Sequence, residues 1–67
     1  MNKAMLKSVM ALHGDTIADL ANYLNLTPQS VVNKMGEKRT EFKQGEISMI
    51  KARYNLTAEQ LEQIFFN

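Results

Sequence analysis

The 67-residue sequence has no cysteine, no tryptophan, one proline, three glycines and no long hydrophobic run. Without cysteine, a disulfide framework, a thiolate nucleophile and a cysteine-ligated zinc site are all excluded. Lys7, Ser8 and His13 interrupt the apolar residues near the N-terminus, so this stretch fits neither a signal peptide nor a membrane span. We therefore expect a cytoplasmic protein with no membrane partner.

Residue patterns typical of enzymes are also missing from the sequence. It contains neither a glycine-rich phosphate loop nor a Ser-His-Asp arrangement, and its single histidine, His13, has no set of partners spaced for metal binding. We predict that the protein is not an enzyme. No catalytic residue, metal, cofactor or small-molecule substrate is assigned.

The apolar residues recur at helical spacing, with no alternation typical of strands, and predict an all-α fold of five helices. We expect one domain spanning 1–67, whose small core makes oligomerisation a natural expectation. The predicted helices cover about 2–13, a segment beginning at 17, 28–35, about 44–54, and a segment that begins after Thr57.

Capping residues mark the expected ends of these helices. Gly14 follows the first helix as a C-terminal cap. Thr16 with Asp19 approximates a capping box, and Thr57 with Gln60 forms a complete one. The segment 36–43 holds one glycine and five charges and predicts a loop, which we expect Phe42 to anchor to the core.

The most informative stretch is 17–35, which predicts two short amphipathic helices joined by a tight turn. Thr27 places a capping hydroxyl directly before Pro28, whose missing N–H costs nothing at the first helical position. The apolar residues of both helices predict one shared buried face: Ile17, Leu20, Ala21, Leu24, Val31 and Met35.

This stretch resembles the helix-turn-helix of the phage repressor and Cro-like family, also known as the xenobiotic-response-element type. Counted from Ile17, the small fifth residue is Ala21, the left-handed-tolerant ninth residue is Asn25, and the β-branched fifteenth residue is Val31. Two positions depart from the family, because Asn25 replaces the usual glycine and Ile17 replaces a common glutamine. The other three helices fall where the family expects them, so the resemblance implies a compact five-helix lambda-repressor-like DNA-binding domain.

The resemblance implies a sequence-specific transcriptional regulator, similar to a prophage repressor or Cro protein, that binds a palindromic operator in double-stranded DNA. The third helix would then read bases, with an amide such as that of Gln29 able to bond adenine and the methyl groups of Val32 able to contact thymine. The expected base contacts are Gln29, Ser30, Val32 and Asn33. The alternative for these residues is an ordinary polar helix surface.

A net charge of only +1 does not itself indicate nucleic acid, but the positive charges are unevenly distributed. Lysine and arginine cluster directly after the third helix, offset in part by Glu37 and Glu41, whereas residues 14–26 and 55–67 contain no lysine or arginine. The expected phosphate contacts are Thr16, Thr27, Lys34, Lys38, Arg39 and Lys43. The alternative is a solvated charged loop.

The last helix ends in two adjacent aromatic residues, which point about 100° apart and cannot easily face one small core. Members of the resembled family commonly dimerise through this helix. We therefore expect a homodimer with Leu61, Phe65 and Phe66 at the contact. Two alternatives remain: Phe66 could cap the core instead, or the chain could be a protein-interaction module that binds a phage or toxin-like partner through its C-terminal helix.

Overall fold

A computed structural model describes residues 1–66, which form five α-helices and contain no strand. The helices are α1 (Lys3–Leu12), α2 (Ile17–Leu24), α3 (Pro28–Met35), α4 (Gln44–Tyr54) and α5 (Ala58–Phe65). The Cα radius of gyration is 10.7 Å, close to the value of about 11 Å expected for a folded domain of this length. The predicted all-α class and the bounds of α3 and α4 are confirmed.

Four helices begin with the same hydrogen bond. The side-chain oxygens of Asn2, Thr16, Thr27 and Thr57 each accept from a backbone N–H three residues later, at 3.1 Å. Asp19 and Gln60 bond back to the backbone of Thr16 and Thr57, which confirms both predicted capping boxes. Helix α4 begins differently: the Lys43 backbone N–H donates to the Glu46 carboxylate at 2.9 Å.

Four helices also end alike, on a residue in the left-handed region. The residue after it donates its N–H to the carbonyl five positions earlier, at 2.8–3.0 Å, as in a Schellman motif. The left-handed residues are Gly14, Asn25, Glu37 and Asn55, with φ of 69°, 59°, 54° and 51°. The predictions for Gly14 and Asn25 are confirmed, whereas at the end of α3 the left-handed residue is Glu37 and not Gly36.

Three connections between helices combine these endings and starts in only three or four residues. The segments 14–16, 25–27 and 55–57 each run from a left-handed residue to a capping threonine. Each segment therefore ends one helix, reverses the chain and begins the next. The connection between α3 and α4, residues 36–43, is the long one.

The core is one hydrophobic cluster to which all five helices contribute. Leu6, Leu20, Val31, Ile50 and Ile64 are completely buried. The loop residue Phe42 is 7% exposed, which confirms its predicted role as an anchor of segment 36–43.

The start of the chain is attached to two distant parts of the fold. The Asn2 N–H donates to the Ile64 carbonyl at 2.6 Å, and the N-terminal ammonium group forms an ion pair with Glu37. The first residues are thus held against α5 and against the end of α3.

A polar cluster joins the α1–α2 connection to the end of α4. The Asp15 carboxylate accepts from Arg53 Nε at 2.6 Å and Nη2 at 2.9 Å, and from the Tyr54 hydroxyl at 2.7 Å. These bonds hold the pKa of Asp15 below its usual value. Burial, followed by the contact with Asp15, raises the pKa of Tyr54. The Arg53 guanidinium also lies over the Tyr23 ring, 4.7 Å from its centroid, and so links α4 to α2.

Within residues 1–66, no helix has both the length and the apolar character needed to cross a bilayer.

The lowered pKa of Asp15 predicts an acid-dependent loss of stability. Its folded-state pKa lies below the usual 3.8, so the ion pair stabilises the fold above about pH 4 and this contribution disappears as pH falls through the folded pKa. Asp15→Asn should therefore reduce the free energy of unfolding at pH 7 and do so much less at pH 2. Urea denaturation at both values measures the difference. Because the pKa of Glu46 is also lowered, both proteins should weaken in acid, and an equal gap at both pH values would contradict the assignment.

Two leucines of α1 provide a matched test of the core. Leu6 is 0% exposed and Leu12 is 86% exposed. Leu6→Ala should cost about 3 kcal/mol of unfolding free energy, because it removes buried area and leaves a cavity. Leu12→Ala should change it by no more than about 0.5 kcal/mol. Chemical denaturation followed by circular dichroism checks both, and equal effects would mean that α1 is docked on a different face.

Candidate nucleic-acid interface

The packing of α2 on α3 determines which side of α3 is exposed. Ala21 of α2 is 1% exposed, and its small side chain allows the two helices to cross closely. On α3, Val31 and Met35 face the core, at 0% and 3% exposed. The opposite side of α3 is left to solvent.

The predicted base-contact residues lie on the more exposed side of α3. Gln29 is exposed and Val32 is 41% exposed, whereas Ser30 and Asn33 are half-buried. Gln29 Nε2 donates to Asn33 Oδ1 at 3.0 Å, so the two amides are bonded to each other one helical turn apart. The Ser30 hydroxyl is 2.9 Å from that of Thr27 and belongs to the N-terminal cap of the helix.

The two threonines predicted to contact phosphate act as helix caps. Thr27 Oγ1 accepts from the Ser30 N–H at the start of α3. Thr16 Oγ1 accepts from the Asp19 N–H and donates to the Asp19 carboxylate at 2.9 Å. A carboxylate therefore already occupies the start of α2, where its charge would repel a phosphate.

The structure removes Lys34 from the cations available to phosphate. Its side chain is buried, and its Nζ lies 3.0 and 3.3 Å from the two carboxylate oxygens of Glu46. Burial raises the pKa of Glu46, but the hydrogen bond from the Lys43 backbone N–H and then the ion pair with Lys34 outweigh it and hold this pKa below its usual value. Lys34 comes three residues after Val31 and so shares the inward side of the helix. The sequence prediction grouped it with its neighbours in the chain and not by helical face.

Three predicted phosphate contacts remain exposed on segment 36–43. Lys38, Arg39 and Lys43 form no ion pair with any residue among 1–66. Of the two carboxylates on this segment, Glu37 is paired with the N-terminal ammonium group and Glu41 is not paired within the same range. The loop that directly follows α3 therefore carries three exposed cations that no carboxylate among residues 1–66 neutralises in an ion pair.

The aromatic end of α5 divides between core and solvent. Phe65 is half-buried and packs edge-on against Phe42, with ring centroids 5.9 Å apart. Leu61 is also half-buried against the core, whereas Phe66 is 65% exposed. Phe66 borders a groove of about 490 Å³ whose other lining residues include Met1, Glu41, Phe42, Lys43, Ile47 and Phe65.

The sequence prediction missed the contacts that connect distant segments. The ion pairs Lys34–Glu46 and Asp15–Arg53 join residues that are 12 and 38 positions apart in the chain, and no local sequence pattern predicts them. The bond between Gln29 and Asn33 could have been foreseen, because amide side chains four residues apart on a helix are within reach. Within residues 1–66, no group of three or more metal-ligating side chains is arranged around a common point.

Comparison of the chain with protein-family models, with curated proteins and with solved structures found no match.

Proposed function

We propose that the protein is a sequence-specific transcriptional regulator that binds double-stranded DNA through α3, with α2 and α3 as its helix-turn-helix in a lambda-repressor-like domain. The observation that carries the proposal is a division of α3 into two sides. One side packs on the core and pairs with Glu46, and the other presents the side-chain amides of Gln29 and Asn33 next to the loop 36–43.

The dimensions of α3 suit a DNA groove. An α-helix is about 10–12 Å in diameter with its side chains, so α3 can enter the major groove, which is about 12 Å wide. The start of the helix would face the base edges, where Gln29 stands at the second helical position. Because Pro28 has no N–H, the backbone N–H of Gln29 is the first backbone donor of the helix and is free to bind a phosphate.

The loop 36–43 supplies affinity that does not depend on sequence. Lys38, Arg39 and Lys43 would neutralise phosphates beside the groove and release their counterions. Occupation of an operator in this way would block polymerase, as expected for a prophage-type repressor. Such a regulator would act in the cytoplasm.

We further propose that two copies associate through the exposed end of α5. Phe66 is a large exposed apolar side chain beside a groove lined by Phe42, Ile47 and Phe65. The groove rim carries both Glu41 and Lys43, so it can pair with a second copy of itself. A symmetric dimer would present two α3 helices to half-sites about 34 Å apart.

An interaction module is the second candidate, because Phe66 and the groove could equally bind a different protein. Such a module would bind through apolar surface and would be nearly insensitive to salt. Salt dependence therefore separates the two functions.

The exposed cations of the loop 36–43 predict how the DNA-binding constant depends on salt concentration. The logarithm of the binding constant should fall linearly with the logarithm of salt concentration, and Lys38→Ala or Arg39→Ala should each reduce the slope by about 0.9. Both should weaken specific and random duplexes alike, because phosphates carry no sequence information. Fluorescence anisotropy with a duplex selected from a random library measures this.

Lys51→Ala, at an exposed cation of α4 outside the proposed interface, serves as the control and should leave the slope unchanged. If the wild-type protein binds no duplex, or binds with no salt dependence, the DNA-binding proposal is wrong.

Phe66 predicts the oligomeric state. Phe66→Ala should remain folded, because the side chain is 65% exposed, but should sediment as a monomer at concentrations where the wild type dimerises. It should also lose affinity for a palindromic duplex and keep the wild-type affinity for a single half-site. Leu12→Ala, which truncates an even more exposed leucine on α1, is the matched control. Unchanged sedimentation of Phe66→Ala would refute the dimer contact.

A further inference from the structure

One carboxylate connects the two ends of the loop 36–43. Glu46 Oε1 accepts a hydrogen bond from the backbone N–H of Lys43, the last residue of the loop, at 2.9 Å. The same oxygen lies 3.0 Å from Lys34 Nζ, in the last turn of α3, and Oε2 lies 3.3 Å from that nitrogen. A single side chain of α4 thus holds both the helix that precedes the loop and the residue that ends it.

This connection is shielded from water. The side chains of Lys34 and Glu46 are 9% and 16% exposed, so their attraction is stronger than that of a pair on the surface. Helix α3 packs mainly on α2, and within residues 1–66 no other side-chain hydrogen bond or ion pair joins α3 to α4. Glu46 is therefore the polar group that relates the position of α3 to the start of α4.

The segment between these two ends is strained and charged. Glu37 and Arg39 have left-handed backbone, with φ of 54° and 63°, which raises the free energy of a non-glycine residue. Lys38 and Arg39 are adjacent exposed cations, and like charges repel. Both effects favour other conformations of the loop, and the bonds of Glu46 at its ends oppose them.

We infer that Glu46 is a positioning residue that holds the loop 36–43 beside α3, where Lys38 and Arg39 can bind phosphate. The inference rests on the proposed DNA-binding function and assigns part of it to a residue that does not itself contact DNA. A loop that is in place before binding loses less conformational entropy when it binds. A loop that is in place for only a fraction of the time lowers the apparent affinity by that fraction.

Two substitutions that remove the same negative charge test the inference. Glu46→Ala removes both hydrogen bonds, whereas Glu46→Gln keeps an oxygen acceptor for Lys34 Nζ and for the Lys43 N–H. Charge alone predicts that both variants bind every duplex more tightly than the wild type. We expect instead that Glu46→Ala binds specific and random duplexes about five- to tenfold more weakly, and that Glu46→Gln binds at least as well as the wild type. Fluorescence anisotropy measures the four affinities.

A double variant separates positioning from loss of the fold. Glu46→Ala leaves the Lys34 ammonium group buried without its partner, which can unfold a small domain. Combining it with Lys34→Met removes that charge and restores the net charge of the wild type. The double variant should be folded by circular dichroism, and it should still lack the bond that holds the end of the loop.

Limited proteolysis measures the position of the loop in the absence of DNA. Trypsin cleaves after lysine and arginine, and Lys38 and Arg39 are exposed. In Glu46→Ala and in the double variant, cleavage at these two sites should be roughly fivefold or more faster, relative to cleavage after Lys51 in α4, because the open loop is more populated. Glu46→Gln should change this ratio by less than about twofold. Mass spectrometry identifies the cleavage sites, and unfolding of the whole domain would accelerate cleavage after Lys51 as well.

The outcomes distinguish the inference from the function on which it rests. If the wild type binds no duplex, the proposed function and the inference fail together. If it binds DNA but Glu46→Ala binds as tightly as Glu46→Gln, or binds weakly with no faster cleavage of the loop, the inference alone is overturned. Weaker binding by Glu46→Ala, retained binding by Glu46→Gln and faster cleavage of the loop in the double variant support it.

Discussion

The fold depends on the way that its helices end. A chain this short must reverse direction several times without long loops, and each reversal leaves carbonyl groups at a helix end that need partners. A residue in the left-handed region satisfies them at Gly14, Asn25, Glu37 and Asn55. In three cases the threonine that caps the following helix comes only two residues later. The directions of α2, α3 and α5, and with them the packing of α2 on α3, follow from this arrangement.

The ion pairs separate the cations that hold the fold together from those that remain exposed and can contact a ligand. Lys34 is held by Glu46 and joins α3 to α4, whereas Arg53 is held by Asp15 and joins α4 to the α1–α2 connection. Lys38 and Arg39 have no such partner within residues 1–66 and remain exposed. Exposed lysines without an ion pair within residues 1–66 also lie on α1 and α4, at Lys3, Lys7 and Lys51, so the segment after α3 is one of several exposed positive regions.

Local features could be predicted from the sequence, and long-range contacts could not. The caps at Thr16 and Thr57, the left-handed Asn25 and the anchor at Phe42 each depend on a residue type and its near neighbours. The burial of Lys34 depends on Glu46, which lies across a loop on another helix. Gly36 does not mark the residue with left-handed backbone at the end of α3, because that residue is the next one, Glu37. The pairing that takes Lys34 out of the proposed interface is therefore the part that needed three-dimensional structure.

The left-handed residues of the loop 36–43 have a consequence for its adaptability. Glu37 and Arg39 adopt φ of 54° and 63° without being glycine, and such a conformation costs a non-glycine residue about 1–2 kcal/mol. This strain offsets part of the free energy that stabilises the conformation of the loop. The loop is therefore easier to rearrange than the helices on either side. Under the proposed function, this loop would adjust to the path of a DNA strand while α3 stays rigid.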